Sequence, residues 1–257
     1  MEWFLYPALF FAGLLAGFIN TIAGSGSLLV LPMLMWAGLP ATVANGTNRI
    51  GILFQSITAV FSFKQQGILS FKQLSIFIIP SVLGSVIGAV SASQLTAKGM
   101  EIAIGIMLVV MVFTMIFNSE KWIKEHTGQK APLSDNWQYV IYFGIGVYGG
   151  FIQAGVGLFL LAALVLASGK NLVEANAIKL LIVLIYTPFA LVVYLYNGQI
   201  NALAGLLVAS GSIVGAFLAS KYAKRMGVVF LKNFLLAVVL ITASDLLGLF
   251  KWIASQF

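Results

Sequence analysis

Long apolar runs, punctuated by glycine-rich or polar breaks, recur along the whole chain. A helix of about 20 apolar residues crosses a bilayer, whereas the apolar/polar alternation of a barrel strand is missing here. The pattern predicts an apolar helix over residues 3–22 and a break at Gly24-Ser25-Gly26. A short helix over 28–37 follows, ending at Gly38-Leu39-Pro40. Glycine weakens a helix and permits sharp turns, so 3–38 reads as a hairpin with an irregular tip, similar to the broken helices of secondary transporters. Three spans are expected next, over about 44–63, 71–92 and 99–117, and a polar linker over 119–136. A second hairpin (about 137–169) and three more spans (173–196, 202–221 and 228–250) complete the chain. The expected organisation is a first repeat, 1–118, and a second, 137–257.

The repeat has a fixed register. Gly155 stands 131 positions after Gly24. The same offset pairs Gly13 with Gly144, Ala23 with Ala154, Gly26 with Gly157 and Gly38 with Gly169. It also pairs Asn45 with Asn176, Gly67 with Gly198 and Gly84 with Gly215. A constant, ungapped offset across hairpins and loops signals an internal repeat. The basic loops switch sides between the copies. Lys64 and Lys72 flank one loop of the first half, while its counterpart at 196–201 is uncharged. Lys221, Lys224 and Arg225 mark the following loop instead. Positive residues favour the cytoplasmic side, so the halves are expected to be inverted, with a cytoplasmic linker and both termini outside.

Composition narrows the class. The chain is 61% hydrophobic and 8% charged, against about 25% charged residues in a soluble domain. An all-α polytopic membrane protein without a sizeable soluble domain is expected. The N-terminus lacks the basic segment of a removable signal peptide. The absence of cysteine excludes disulfide and thiolate chemistry. The net charge of +7 sits mostly near helix ends, where it suits orientation more than nucleic-acid binding. The lone histidine, His126, lies in the linker. There is no phosphate-binding loop, no metal-ligand cluster and no expected cofactor.

Polar groups inside spans belong in protein or around a wet cavity. Asn20 and Ser25 lie at the first hairpin tip, and Asn45, Thr47, Asn48 and Arg49 at the next span. Gln153, Asn176 and Lys179 are their second-half counterparts in place, with Lys179 the repeat mate of Asn48. Arg49 is a rigid fork suited to an oxyanion, and Lys179 a compact point charge. Backbone at Gly24, Gly26, Gly155 and Gly157 would add the positive ends of half-helices. The alternatives are snorkelling for the two bases and interhelical packing for the small polar residues. Asp245 is the clearest acidic residue in a span and the candidate coupling group, with a proton as the coupling ion. The positive balance argues for an anionic substrate.

These residues resemble the sulfite exporter TauE/SafE family. The resemblance rests on Gly17 to Gly26, Pro32, Gly38 and Ala44-x-Gly46-Thr47-Asn48, and on the degenerate copy Gly146 to Gly157, Gly169 and Ala175 to Lys179. It covers essentially the whole chain; Asn20-Thr21-Ile22-Ala23 departs from it, where many relatives carry more glycine. It implies a secondary transporter of the cytoplasmic membrane for small sulfur-containing anions such as sulfite and sulfonates, and export is the expected direction. The expected mechanism is alternating access around a central electropositive site. A passive anion channel is the alternative, since the same lining would serve. An enzyme is not expected, because no nucleophiles, bases or metal ligands cluster at depth.

Overall fold

A computed structural model describes residues 4–22, 24–69, 74–116 and 133–222. The last expected span (228–250), Asp245, Lys72, Lys224, Arg225 and linker residues 119–132 lie outside the described residues. Among the described residues the chain forms nine helices and no strand. They are α1 (Leu5–Ile22), α2 (Ser27–Trp36), α3 (Ala41–Gln65), α4 (Ser75–Ser93), α5 (Ala97–Ile116), α6 (Asp135–Phe151), α7 (Val156–Leu166), α8 (Leu172–Tyr196) and α9 (Ala202–Tyr222).

Four of these, α1, α4, α8 and α9, are long and apolar enough to cross a membrane. α3 equals α8 in length, at 25 residues each. Its polarity differs because its inward face carries Asn45, Thr47, Asn48, Arg49, Gln55 and Ser56, all buried. With 10 and 11 residues, α2 and α7 rise only about 15 Å, half a hydrocarbon core. Large apolar side chains such as Phe11, Leu83, Val192 and Phe217 point outward, as lipid contact requires.

Two helix pairs pack most closely, α1 on α9 and α4 on α6. Each contact is built on glycines four apart. On α1, Gly13 and Gly17 face the backbone of Val208 and Ser212, while Gly211 and Gly215 on α9 face that of Phe10 and Leu14. Gly84 and Gly88 of α4 meet Phe143 and Val147, and Gly146 and Gly150 of α6 meet Ser81 and Ser85. A Cβ at any of these positions would collide with opposing backbone. Without a hydrophobic drive between helices in lipid, such close approach is how membrane helices gain contact energy. The looser pairs, α3 with α9 and α4 with α8, surround a central α3–α8 contact.

The helix-ending turns share one geometry. Gly67 and Gly198 have φ of +68° and +65°, closing α3 and α8. The next residue in each case donates back into the helix: Ile68 N–H to the Phe63 carbonyl at 3.2 Å, and Gln199 N–H to that of Tyr194 at 2.9 Å. This left-handed cap satisfies carbonyls that the helix end leaves open.

Candidate functional site

The two helix breaks touch. The first lies between Ile22 and Ser27, the second between Phe151 and Val156. Gly24 and Gly155, at offset 131, hold φ of +82° and +72°. A Cβ on Gly24 would fall 2.5 Å from the Gly157 Cα, so the tips meet backbone to backbone. Gln153 has φ +66°, the one non-glycine residue in the left-handed region among those described. That conformation costs about 1–2 kcal/mol and is held by its side-chain bonds.

Each break ends a helix whose last carbonyls need donors, and each is served by the other half of the chain. Arg49 of α3 donates to the carbonyls of Gly149 at 3.0 Å and Gly150 at 2.5 Å, and to Gln153 Oε1 at 2.6 Å. Its guanidinium also lies 4.6 Å from the Tyr194 ring centroid. Four residues earlier, Asn45 Nδ2 donates to the Phe151 carbonyl at 2.7 Å and to the Tyr194 hydroxyl at 2.9 Å. In the reverse direction, Asn176 of α8 donates to the Thr21 carbonyl at 3.0 Å. Lys179 Nζ donates to the Asn20 carbonyl at 3.2 Å and to Asn176 Oδ1 at 2.6 Å. The C-terminal, negative ends of α1 and α6 therefore both carry a cation and an amide. Arg49 and Lys179 are both fully buried.

Beside the tips lies a small cavity. Asn20, Gly24, Ser27, Ile52, Gln55, Gln153, Val156, Gly157 and Lys179 are among its lining residues, and none of the lining residues is acidic. The N-termini of α2 and α7 open onto it through Ser27 and Val156. Its free volume, about 20 Å³, has room for one water-sized body.

Of the residues singled out from sequence, Asn20, Gly24, Gln153, Gly157 and Lys179 line this cavity. Arg49, Asn45 and Asn176 stand behind it as caps of the broken helices. Gly26 donates its N–H to Asn20 Oδ1 at 2.6 Å, and the Ser25 carbonyl accepts from Leu28 to begin α2. Gly155 caps α7 and packs on the Met111 thioether. Thr47 lies further off; its hydroxyl accepts from the Asn201 N–H at 2.9 Å and ties α3 to the start of α9. Asn48 is buried, its Nδ2 without a hydrogen-bond partner among the described residues. Sequence reasoning missed Gln55. The available signal was helical spacing, since Gln55 follows Asn48 and Ile52 on one face of α3.

The sulfite exporter TauE/SafE model matches residues 9–246. A probable membrane transporter protein, ORF9, of Sinorhizobium sp is 27% identical over 244 residues, covering 95% of this chain and 93% of the relative. The probable membrane transporter protein YfcA of Escherichia coli (strain K12) is 26% identical, with 95% and 90% covered. YunE of Bacillus subtilis (strain 168), also named a probable membrane transporter protein, is 22% identical, with 83% and 87% covered. No solved structure matches. A helical chain with buried cations at two touching helix breaks, matched nearly end to end by membrane transporters, is a multi-pass membrane protein, and it belongs to the sulfite exporter TauE/SafE family.

Proposed function

We propose that the protein is a secondary transporter, acting as an exporter, of small sulfur-containing oxyanions such as sulfite and sulfonates, with the cavity between the helix breaks as its binding site. The observation that carries this reading is the exchange of caps. The negative ends of α1 and α6 are covered by Lys179 with Asn176 and by Arg49 with Asn45. The positive ends of α2 and α7 remain to face the cavity, which has no acidic residue in its lining. The local field is thus positive where an anion would sit.

The mechanism we propose is alternating access between the two halves of the chain. We read α1–α5 and the chain from α6 onward as inverted copies. Supporting this, the turn glycines Gly24, Gly38 and Gly67 each have a left-handed mate 131 positions on, at Gly155, Gly169 and Gly198. The pairing of α1 with α9 is mirrored by that of α6 with α4. The cavity's small volume favours a gated site over an open anion channel, since a space for one water-sized body must widen to admit an oxyanion. A proton gradient is the proposed driving force, with Asp245 as its candidate carrier.

The test is transport in proteoliposomes. Labelled sulfite and sulfoacetate should accumulate against their gradients when a proton gradient is imposed. Accumulation that stops at equilibrium under every gradient would indicate a passive channel. No flux of either anion would remove the reading.

A further inference from the structure

Hydrogen-bond chains fix which way the two cavity glutamines point. The backbone N–H of Gly26 can only donate, so the Asn20 atom 2.6 Å from it is the amide oxygen. Asn20 therefore turns Nδ2 toward Gln55, 3.1 Å away, and Gln55 accepts with Oε1. The other end of that amide, the NH2 of Gln55, has no partner among the described residues and is left for the cavity that Gln55 lines. Across the cavity the logic repeats. A guanidinium can only donate, so Gln153 accepts from Arg49 with Oε1 at 2.6 Å. Its Nε2 lies 3.4 Å from Thr187 Oγ1, whose own proton is committed to the Val183 carbonyl at 2.6 Å. One N–H of Gln153 is accounted for by Thr187, and the other has no partner among the described residues.

We propose that Gln55 and Gln153 are the specificity-determining residues of this site. Beside Lys179, they turn amide donors toward the cavity, while their oxygens are engaged by Asn20 and Arg49. The site takes an oxyanion head whose oxygens all accept, such as a sulfonate, and rejects a head of like shape that carries its own N–H or O–H. A donor facing a donor leaves both unpaired in a dry site, and such mismatches discriminate more strongly than a missing methyl group. The inference rests on the anion-transport reading and adds to it the rule by which the anion is chosen.

The experiment is uptake of labelled methanesulfonate by proteoliposomes, with methanesulfonamide as competitor. It compares the wild-type chain with Gln55→Glu and Gln55→Met. The carboxylate introduced by Gln55→Glu still accepts from Asn20 and turns a charged acceptor toward the cavity in place of a donor. We expect the wild type to transport methanesulfonate and ignore the sulfonamide. Gln55→Glu should raise KM for methanesulfonate about tenfold or more and make methanesulfonamide an inhibitor, a gain that misfolding does not produce. Gln55→Met, which has neither donor nor acceptor, should raise KM without that gain, and it serves alone if the charged variant fails to fold. Wild-type uptake with unchanged KM in the variants that fold would overturn the inference and leave the transport reading standing. A wild type that carries neither methanesulfonate nor sulfite would overturn both.

Discussion

Arg49 on α3 and Lys179 on α8, the two buried cations among the described residues, make different contacts. Arg49 reaches the end of α6 with both terminal nitrogens and fixes two backbone carbonyls and the Gln153 side chain. It is not among the residues that line the cavity. Lys179 donates to the Asn20 carbonyl at the end of α1 and does line the cavity. A fork with several fixed donors suits a latch, while a compact ammonium suits a site whose contents change. The register difference explains the division. Lys179 is the mate of Asn48, one step around the helix from Arg49, so the two cations approach the tips from different sides.

Mutations that strike one side only will sharpen or break this contrast. The largest stability effect is expected from Arg49→Leu. It strips donors from the Gly149 and Gly150 carbonyls and from Gln153, at a cost of about 3 kcal/mol or more. Thermal unfolding of the purified protein in detergent reads this, and Arg49→Lys should recover only part, since a point charge cannot make the fork. Next is Gly24→Ala. Its Cβ would press on the Gly157 Cα at 2.5 Å from a left-handed backbone, costing about 2 kcal/mol. The mate substitution Gly155→Ala meets the flexible Met111 side chain and should cost less. Equal losses in the two alanine variants would contradict the asymmetric seating of the tips. Lys179→Gln should leave the melting temperature closer to wild type than Arg49→Leu does. Its KM for sulfite should rise about tenfold or more. The smallest effects belong to Gly67→Ala and Gly198→Ala. A Cβ there meets nothing within 4 Å, so each variant loses only the left-handed strain, about 1 kcal/mol, and keeps wild-type transport.

Much of the architecture was legible because it is written in glycine and in hydropathy. The break at Gly24 to Gly26, the left-handed turns at Gly67 and Gly198, and the Asn45–Asn176 correspondence follow from spacing alone. The glycine pairs on α1, α4, α6 and α9 were visible as letters, but the helices they join were not. The contacts of Arg49 were hidden for a different reason. Two of its partners are the backbone carbonyls of Gly149 and Gly150, and every residue carries such a group, so no side-chain pattern reveals them. Gln55 was hidden because an amide inside a membrane helix is more often a packing contact than a ligand. Its orientation emerges only when the N–H of Gly26, on another helix break, is brought to Asn20.

The absence of cysteine makes the central claim directly measurable. In Ser27→Cys the new thiol lines the cavity and is unique in the chain. The decisive comparison is its labelling rate by two methanethiosulfonate reagents of similar size, one bearing a sulfonate and one a trimethylammonium group. A positive site between the breaks predicts faster labelling by the sulfonate reagent, protection by sulfoacetate, and loss of both effects on adding Lys179→Gln. Faster labelling by the cationic reagent, or a rate that neither sulfoacetate nor Lys179 influences, would contradict it.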